Sequence, residues 1–208
     1  MATGHKKNKE YNKGPHLILI GFMGSGKTSI GRGLSYKLQR AFCDTDKMIE
    51  AGENMTVSEI FRSKGEGAFR MMETELLRTI RDDTSPKIYS LGGGTPVQLQ
   101  NQPLIKMCGT VVYLRITPEA VYERLKGDKT RPLLQCDDPF AKIRDLMAVR
   151  TPAYERCADI IVDTGDTERE DVMEDILEKL KEAGWKIPEV RKTEKESDED
   201  TGDKRSQS

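Results

Sequence analysis

Short apolar runs alternate along the chain with longer stretches in which apolar residues recur every three or four positions. The runs predict strands over 16–21, 41–44, 87–91, 110–116 and 159–163. Thr110-Val111-Val112-Tyr113-Leu114 and Asp159-Ile160-Ile161-Val162-Asp163 are nearly continuous, as expected of strands covered on both faces. Helix starts are marked between them. Thr56-Val57-Ser58-Glu59 and Thr167-Glu168-Arg169-Glu170 match capping boxes, and Thr117-Pro118 sets a cap before a proline at the first helical position. Glu66 to Arg81 carries Phe69, Met72, Leu76 and Ile80 on one side, which predicts a long amphipathic helix. Strands alternating with helices in this way predict an α/β fold with a parallel sheet.

The pattern fades in three places. Residues 1–14 are polar and basic, and read as a disordered arm ahead of a folded domain at 15–185. Residues 127–139 are polar, contain glycine and proline, and lie between two helical patterns; they are a candidate mobile lid. Residues 186–208 become almost wholly charged or small and predict a disordered tail, which leaves open a partner-binding role for it.

Composition narrows the class. A chain of 208 residues suits one domain with a real core. Charged residues make up 33% of it, yet the formal net charge is −1, so no global field draws it to nucleic acid or membrane. No apolar run approaches the roughly 20 residues of a membrane span, and the run ending at Gly21 is too short for a secretory signal. Cys43, Cys108, Cys136 and Cys157 are scattered without a C-x-x-C, which suggests reduced thiols in the cytoplasm rather than a disulfide framework or zinc site. Cys43 reads as a buried strand thiol, with a place at the border of a site as its alternative.

The strongest chemical signal is Gly21-Phe22-Met23-Gly24-Ser25-Gly26-Lys27-Thr28, a complete G-x-x-x-x-G-K-[ST] loop between the first strand and a helical pattern. Its backbone N–H groups can converge on phosphate oxygens, Lys27 adds a point charge, and the Thr28 hydroxyl suits Mg²⁺. Asp44-Thr45-Asp46 closes the second strand, at the rim where parallel sheets bind ligands. One carboxylate could hold Mg²⁺ opposite Thr28 and the other could accept from a substrate hydroxyl; Asp44 could equally cap the next helix. On an extended segment, Asp44 and Asp46 would share a face. Ser90-Leu91-Gly92-Gly93-Gly94-Thr95-Pro96 ends the third strand and lets a ligand approach backbone closely, or is a flexible turn. Arg131-Pro132-Leu133-Leu134 puts an arginine in the lid candidate, where it could reach a γ-phosphate or be a solvated surface charge.

Together with Phe69-Arg70, Glu73 and Met147-Ala148-Val149-Arg150-Thr151-Pro152-Ala153-Tyr154, these motifs resemble the shikimate kinases from about His16 to Leu180. The resemblance implies a P-loop NTPase fold like that of nucleoside monophosphate kinases: five parallel strands flanked by helices, with a substrate-binding subdomain and a lid. It implies transfer of the ATP γ-phosphate to the 3-hydroxyl of shikimate, with Mg²⁺, in aromatic amino-acid biosynthesis; with the charge balance and the scattered cysteines, the expectation is a cytoplasmic monomer without nucleic-acid or membrane partners. Carried over by position, Gly24, Ser25, Gly26, Lys27, Thr28 and Ser29 would surround the phosphates. Thr28 and Asp44 would serve the metal. Asp46 would orient the attacking hydroxyl, Arg70 and Arg150 would grip the carboxylate, and Glu73 would hold Arg70. Gly92, Gly93 and Gly94 would line the substrate site. Arg131 would close on the phosphates, and Arg124 would lie against adenine, or else be a solvated helix-end charge. The start of the last helix departs from the family pattern, so Arg169 stays outside the site. Another small hydroxy-acid kinase, such as a gluconate kinase, and a non-catalytic nucleotide-binding module are the alternatives.

Overall fold

The computed structural model describes residues 14–127 and 136–188. The expected arm at 1–13, the core of the expected lid at 128–135, Arg131 within it, and the tail from 189 lie outside the described residues. Five strands, β1 (His16–Ile20), β2 (Ala41–Asp44), β3 (Lys87–Ser90), β4 (Gly109–Arg115) and β5 (Ile160–Asp163), form one sheet in the order β2-β3-β1-β4-β5. Every pairing is parallel, with Leu17 opposite Ile88 on one side and Thr110 on the other. The sequence expectation holds to within a residue or so at each end.

β1 is central, and its five residues are buried completely. Ile18 and Ile20 point to one face and Leu17 and Leu19 to the other, as strand alternation requires. The first face is covered by α3 (Val57–Asp82), α4 (Asn101–Cys108), α5 (Pro118–Leu125) and α6 (Pro139–Cys157), through Leu77, Ile105, Val121 and Met147 among others. The second is covered by α1 (Lys27–Leu38) and α7 (Arg169–Glu182), through Leu34 and Ile176. Among the described residues, no helix is long and apolar enough to cross a membrane.

α2 (Thr45–Glu53) and the first half of α3 form a smaller unit around Ile49, Ile60 and Phe69. The capping box at Thr56 is formed, and the amphipathic helix expected from Glu66 is there. The two run end to end, broken at Gly65, whose φ of 83° and ψ of 163° suit glycine. Thr117 caps α5 by accepting from Ala120 N. The capping box expected at Thr167 does not form. α7 starts one residue later, with Glu168 at its N-cap and no side-chain cap. Glu170 and Asp171 in its first turn give the helix dipole its favourable charges instead.

Candidate active site

The carboxyl ends of β1, β2 and β3 bring the expected residues to one rim. The phosphate loop leaves β1 and turns into α1 at Gly26, whose φ of 87° is open to glycine at little strain. Ser25 is buried beneath the loop, while Thr28 and Ser29 are exposed at the start of α1. The Lys27 ammonium donates to the carbonyls of Gly21 (2.8 Å) and Phe22 (3.1 Å), so it lies folded back over the loop.

Thr28 Oγ1 donates to Asp44 Oδ2 at 3.2 Å. The other oxygen of Asp44 accepts from the backbone N–H of Asp46 (3.1 Å) and of Lys47 (3.4 Å), which caps α2. Asp44 therefore caps α2, one of the roles that the sequence allowed, and turns its other oxygen to the Thr28 hydroxyl. The geometry around it differs from the expectation. Thr45 and Asp46 are not extended but form the first turn of α2, so strand alternation does not set their direction. Among the described residues, no cluster of three or more His, Cys, Asp or Glu side chains is arranged to hold a metal ion. The Thr28–Asp44 pair nonetheless offers hard oxygen donors beside a phosphate loop, which suits Mg²⁺ that keeps its remaining sites for water and phosphate.

Asp46 is the electrostatic outlier. Its Oδ1 is buried and has no hydrogen-bond partner among the described residues. Burial, then the charges of Asp44 and Glu73, push its pKa up to about 6 from 3.8, with Lys27 opposing. A carboxylate held this way accepts a proton more readily than an ordinary aspartate.

Arg70 and Arg150 complete the rim. Arg70 Nη1 donates to Glu73 Oε2 at 2.7 Å, and its Nη2 donates to Glu66 Oε1 at 2.7 Å. Its guanidinium lies so close to Gly94 that a Cβ there would stand 2.4 Å from Nη1. The three glycines sort by neighbour. Gly92 faces Asp46 and Glu73, Gly93 faces Arg150 and Tyr154, and Gly94 faces Arg70. Arg150 also lies over the Phe22 ring at 5.5 Å. Tyr154 donates its hydroxyl to Gly93 O at 2.7 Å.

Arg124 is exposed in the last turn of α5, yet its guanidinium is held by backbone carbonyls. Nη1 donates to Gly24 O at 2.9 Å, and Nη2 donates to the carbonyls of Thr164 and Gly165. It thereby joins the phosphate loop to the turn before α7. Arg169 is exposed and pairs only loosely with Glu170 at 3.6 Å.

Sequence reasoning missed Thr45, Thr95 and Asn101. Thr45 is buried, donates to Ser90 O and accepts from Gly92 N, both at 3.1 Å, and so ties α2 to the glycine loop. Its place between two aspartates and that of Thr95 after three glycines were visible signals. Asn101, at the start of α4, carried none.

Cys43 lies in β2, half-buried against the core, with its thiol pKa raised chiefly by burial. It is therefore a poor nucleophile. Brief iodoacetamide treatment, read by site-resolved mass spectrometry, should label the exposed Cys136 well before Cys43. Cys43 reacting first would contradict this placement.

A sequence model of the shikimate kinase family matches residues 23–181. A shikimate kinase of Symbiobacterium thermophilum is 38% identical over 172 residues, covering 81% of this chain and 98% of the relative. One of Neisseria gonorrhoeae is 43% identical over 151 residues, covering 72% and 88%. Among solved structures, shikimate kinase from Acinetobacter baumannii in complex with shikimate superposes with a TM-score of 0.77 at 35% identity, over 86% of this chain and 99% of that one. A gluconokinase from Sinorhizobium meliloti shares the fold, with a TM-score of 0.55 at 13% identity, over 84% and 95%.

Proposed function

The chain belongs to the shikimate kinase family, and we propose that the cleft at the carboxyl edge of its sheet is where the γ-phosphate of ATP passes to the 3-hydroxyl of shikimate. The observation that carries this reading is the buried, unpartnered oxygen of Asp46, set between a phosphate loop and two arginines. That constellation suits a small acceptor with a hydroxyl at one end and a carboxylate at the other.

Each residue has a task in this reading. The backbone N–H groups of Gly24 to Ser29 and the Lys27 ammonium hold the β- and γ-phosphates. Thr28 and Asp44 hold Mg²⁺, which when bound offsets phosphate charge. Asp46 accepts a hydrogen bond from the 3-hydroxyl and takes its proton as the oxygen bonds to the γ-phosphorus and the bridging P–O bond to ADP breaks. The forks of Arg70 and Arg150 take the carboxylate. Gly92, Gly93 and Gly94 leave room for the ring. Arg124 lies against adenine, and Arg131, which is outside the described residues, keeps the role at the phosphates that the family resemblance implies.

A coupled assay of ADP release with shikimate, with gluconate and with no acceptor tests the reading. Turnover is expected with shikimate alone, and turnover with gluconate but not shikimate would overturn it. Arg70→Leu should raise the KM for shikimate roughly 10- to 100-fold, the scale of a lost charged hydrogen-bond pair, and leave the KM for ATP within about 2-fold. Equal rises in both constants would remove Arg70 from the acceptor site.

A further inference from the structure

A closed hydrogen-bonded circuit starts at the guanidinium of Arg70 and returns to the same residue's backbone. Arg70 Nη1 donates to Glu73 Oε2 at 2.7 Å, and Glu73 Oε1 accepts from Thr95 Oγ1 at 2.5 Å. The Thr95 carbonyl accepts from Asn101 Nδ2 at 3.1 Å, and Asn101 Oδ1 accepts from Thr74 Oγ1 at 2.8 Å. The Thr74 hydroxyl also lies 3.0 Å from the Arg70 carbonyl, which closes the loop. Glu73, Thr95 and Asn101 are 2%, 2% and 0% exposed.

A core has no use for a carboxylate, a hydroxyl and an amide unless each is paired, because an unpaired buried polar group costs about 1–3 kcal/mol. Apolar residues of similar volume often serve stability as well or better. What a fully paired network adds is one fixed geometry. Here the geometry concerns Arg70. Glu66 and Glu73 hold it from its own helix and so cannot fix its distance to the glycine loop. Thr95 can, since it belongs to that loop and grips Glu73 from the other side. Asn101 in turn sets the height of Thr95 by holding its carbonyl. The tight approach of Arg70 to Gly94 shows how little slack remains.

We propose that Thr95 and Asn101 are positioning residues that hold Arg70 in register with Gly92–Gly94, so that an acidic acceptor docked on Arg70 presents its hydroxyl to Asp46. This rests on the acceptor site described under Proposed function. Without the Thr95 hydroxyl, Glu73 Oε1 is left buried beside Asp46 Oδ1. A Cβ on Gly92 would stand 2.9 Å from the first and 2.6 Å from the second, which shows how close the two carboxylates lie. Glu73 then has reason to turn, and the guanidinium turns with it.

The test uses the full chain with Thr95→Val, Thr95→Ser and Asn101→Asp. The last keeps the acceptor for Thr74 and removes the donor to the Thr95 carbonyl. KM for shikimate and for ATP are measured for each, with shikimate binding by calorimetry. Thr95→Val should raise the shikimate constant about 10-fold, matching one unsatisfied buried group, with the ATP constant within about 2-fold. Thr95→Ser should restore it, and Asn101→Asp should move the same way as Thr95→Val. In an Arg70→Lys background, Thr95→Val should add less than about 2-fold, because the two act through one contact. A lowered melting temperature with an unchanged shikimate constant overturns the proposal, as does full additivity with Arg70→Lys. Wild-type protein that turns over shikimate separates either failure from a failure of the acceptor assignment; wild type that ignores shikimate overturns both.

Discussion

Lys27→Ala should lower kcat by about 10³-fold or more, the upper range for a single group stabilising transition-state charge, while the protein melts within a few degrees of wild type. The two halves of this expectation come from one geometry. The ammonium reaches back over its own loop to the carbonyls of Gly21 and Phe22, at 2.8 and 3.1 Å. It does not belong to the apolar clusters on either face of the sheet. The carbonyls it reaches are loop oxygens at the mouth of a phosphate site, and its charge also acts on the nearby Asp46. Phosphoryl transfer leaves the protein little to do beyond positioning and charge, so the loss of one well-placed cation falls on the rate. Steady-state kinetics with a melting curve on the same sample decide it. A variant with near-wild-type kcat would show that the phosphate loop no longer serves catalysis, and a variant that fails to fold would show that the ammonium is structural.

The middle of the sheet could be read from the sequence because β1 and most of β4 are covered on both faces, whereas β5, expected to be covered likewise, buries Ile160 and Val162 and leaves Ile161 and Asp163 exposed. Thr110 to Leu114 cannot alternate polar and apolar when both faces are buried, and the resulting unbroken run is hard to mistake. The phosphate loop was legible because its chemistry is local: backbone turns, one lysine and one hydroxyl, all within eight residues. Errors came where long-range contacts choose between local options. Thr56 and Thr167 carry equally good capping boxes, yet only the first forms. The turn ahead of α7 is held by Arg124 through the carbonyls of Thr164 and Gly165, and backbone carbonyls leave no trace in a sequence. Asn101 was invisible for the same reason. Its partners are a carbonyl and a hydroxyl from other elements, and a lone asparagine before a helix reads as a surface residue. Asp46 lay between the two cases. Its presence at the rim was legible, but the helical turn that carries it and the burial that perturbs it needed the fold.

Asp46→Asn should lower kcat by about 10²-fold or more, the scale of a lost general base, with little change in nucleotide affinity, and should also raise the melting temperature near pH 7.5. The amide keeps the shape of the side chain but can neither take a proton nor carry the charge that polarises the acceptor hydroxyl. In the proposed arrangement the nucleotide is held by the phosphate loop and not by Asp46, so titration with nucleotide should be nearly unaltered. The gain in stability follows from linkage. In the folded protein the Asp46 carboxyl titrates at about 6, against 3.8 without its surroundings, because burial and the charges of Asp44 and Glu73 disfavour ionisation. Folding therefore opposes the charged form, and the penalty is present in full above pH 6, fades as pH falls toward 4, and vanishes below that. The melting-temperature gap between Asp46→Asn and wild type should narrow over the same range. Wild-type kcat/KM should fall as pH drops through about 6, since a protonated Asp46 cannot take the hydroxyl's proton, and the residual activity of Asp46→Asn should lack that acid limb. A variant that loses nucleotide binding but keeps shikimate would reverse the division of roles between Asp44 and Asp46. A variant less stable than wild type at pH 7.5 would show that the buried carboxylate has a partner that offsets its cost, and would remove the strain on which its role as a base depends.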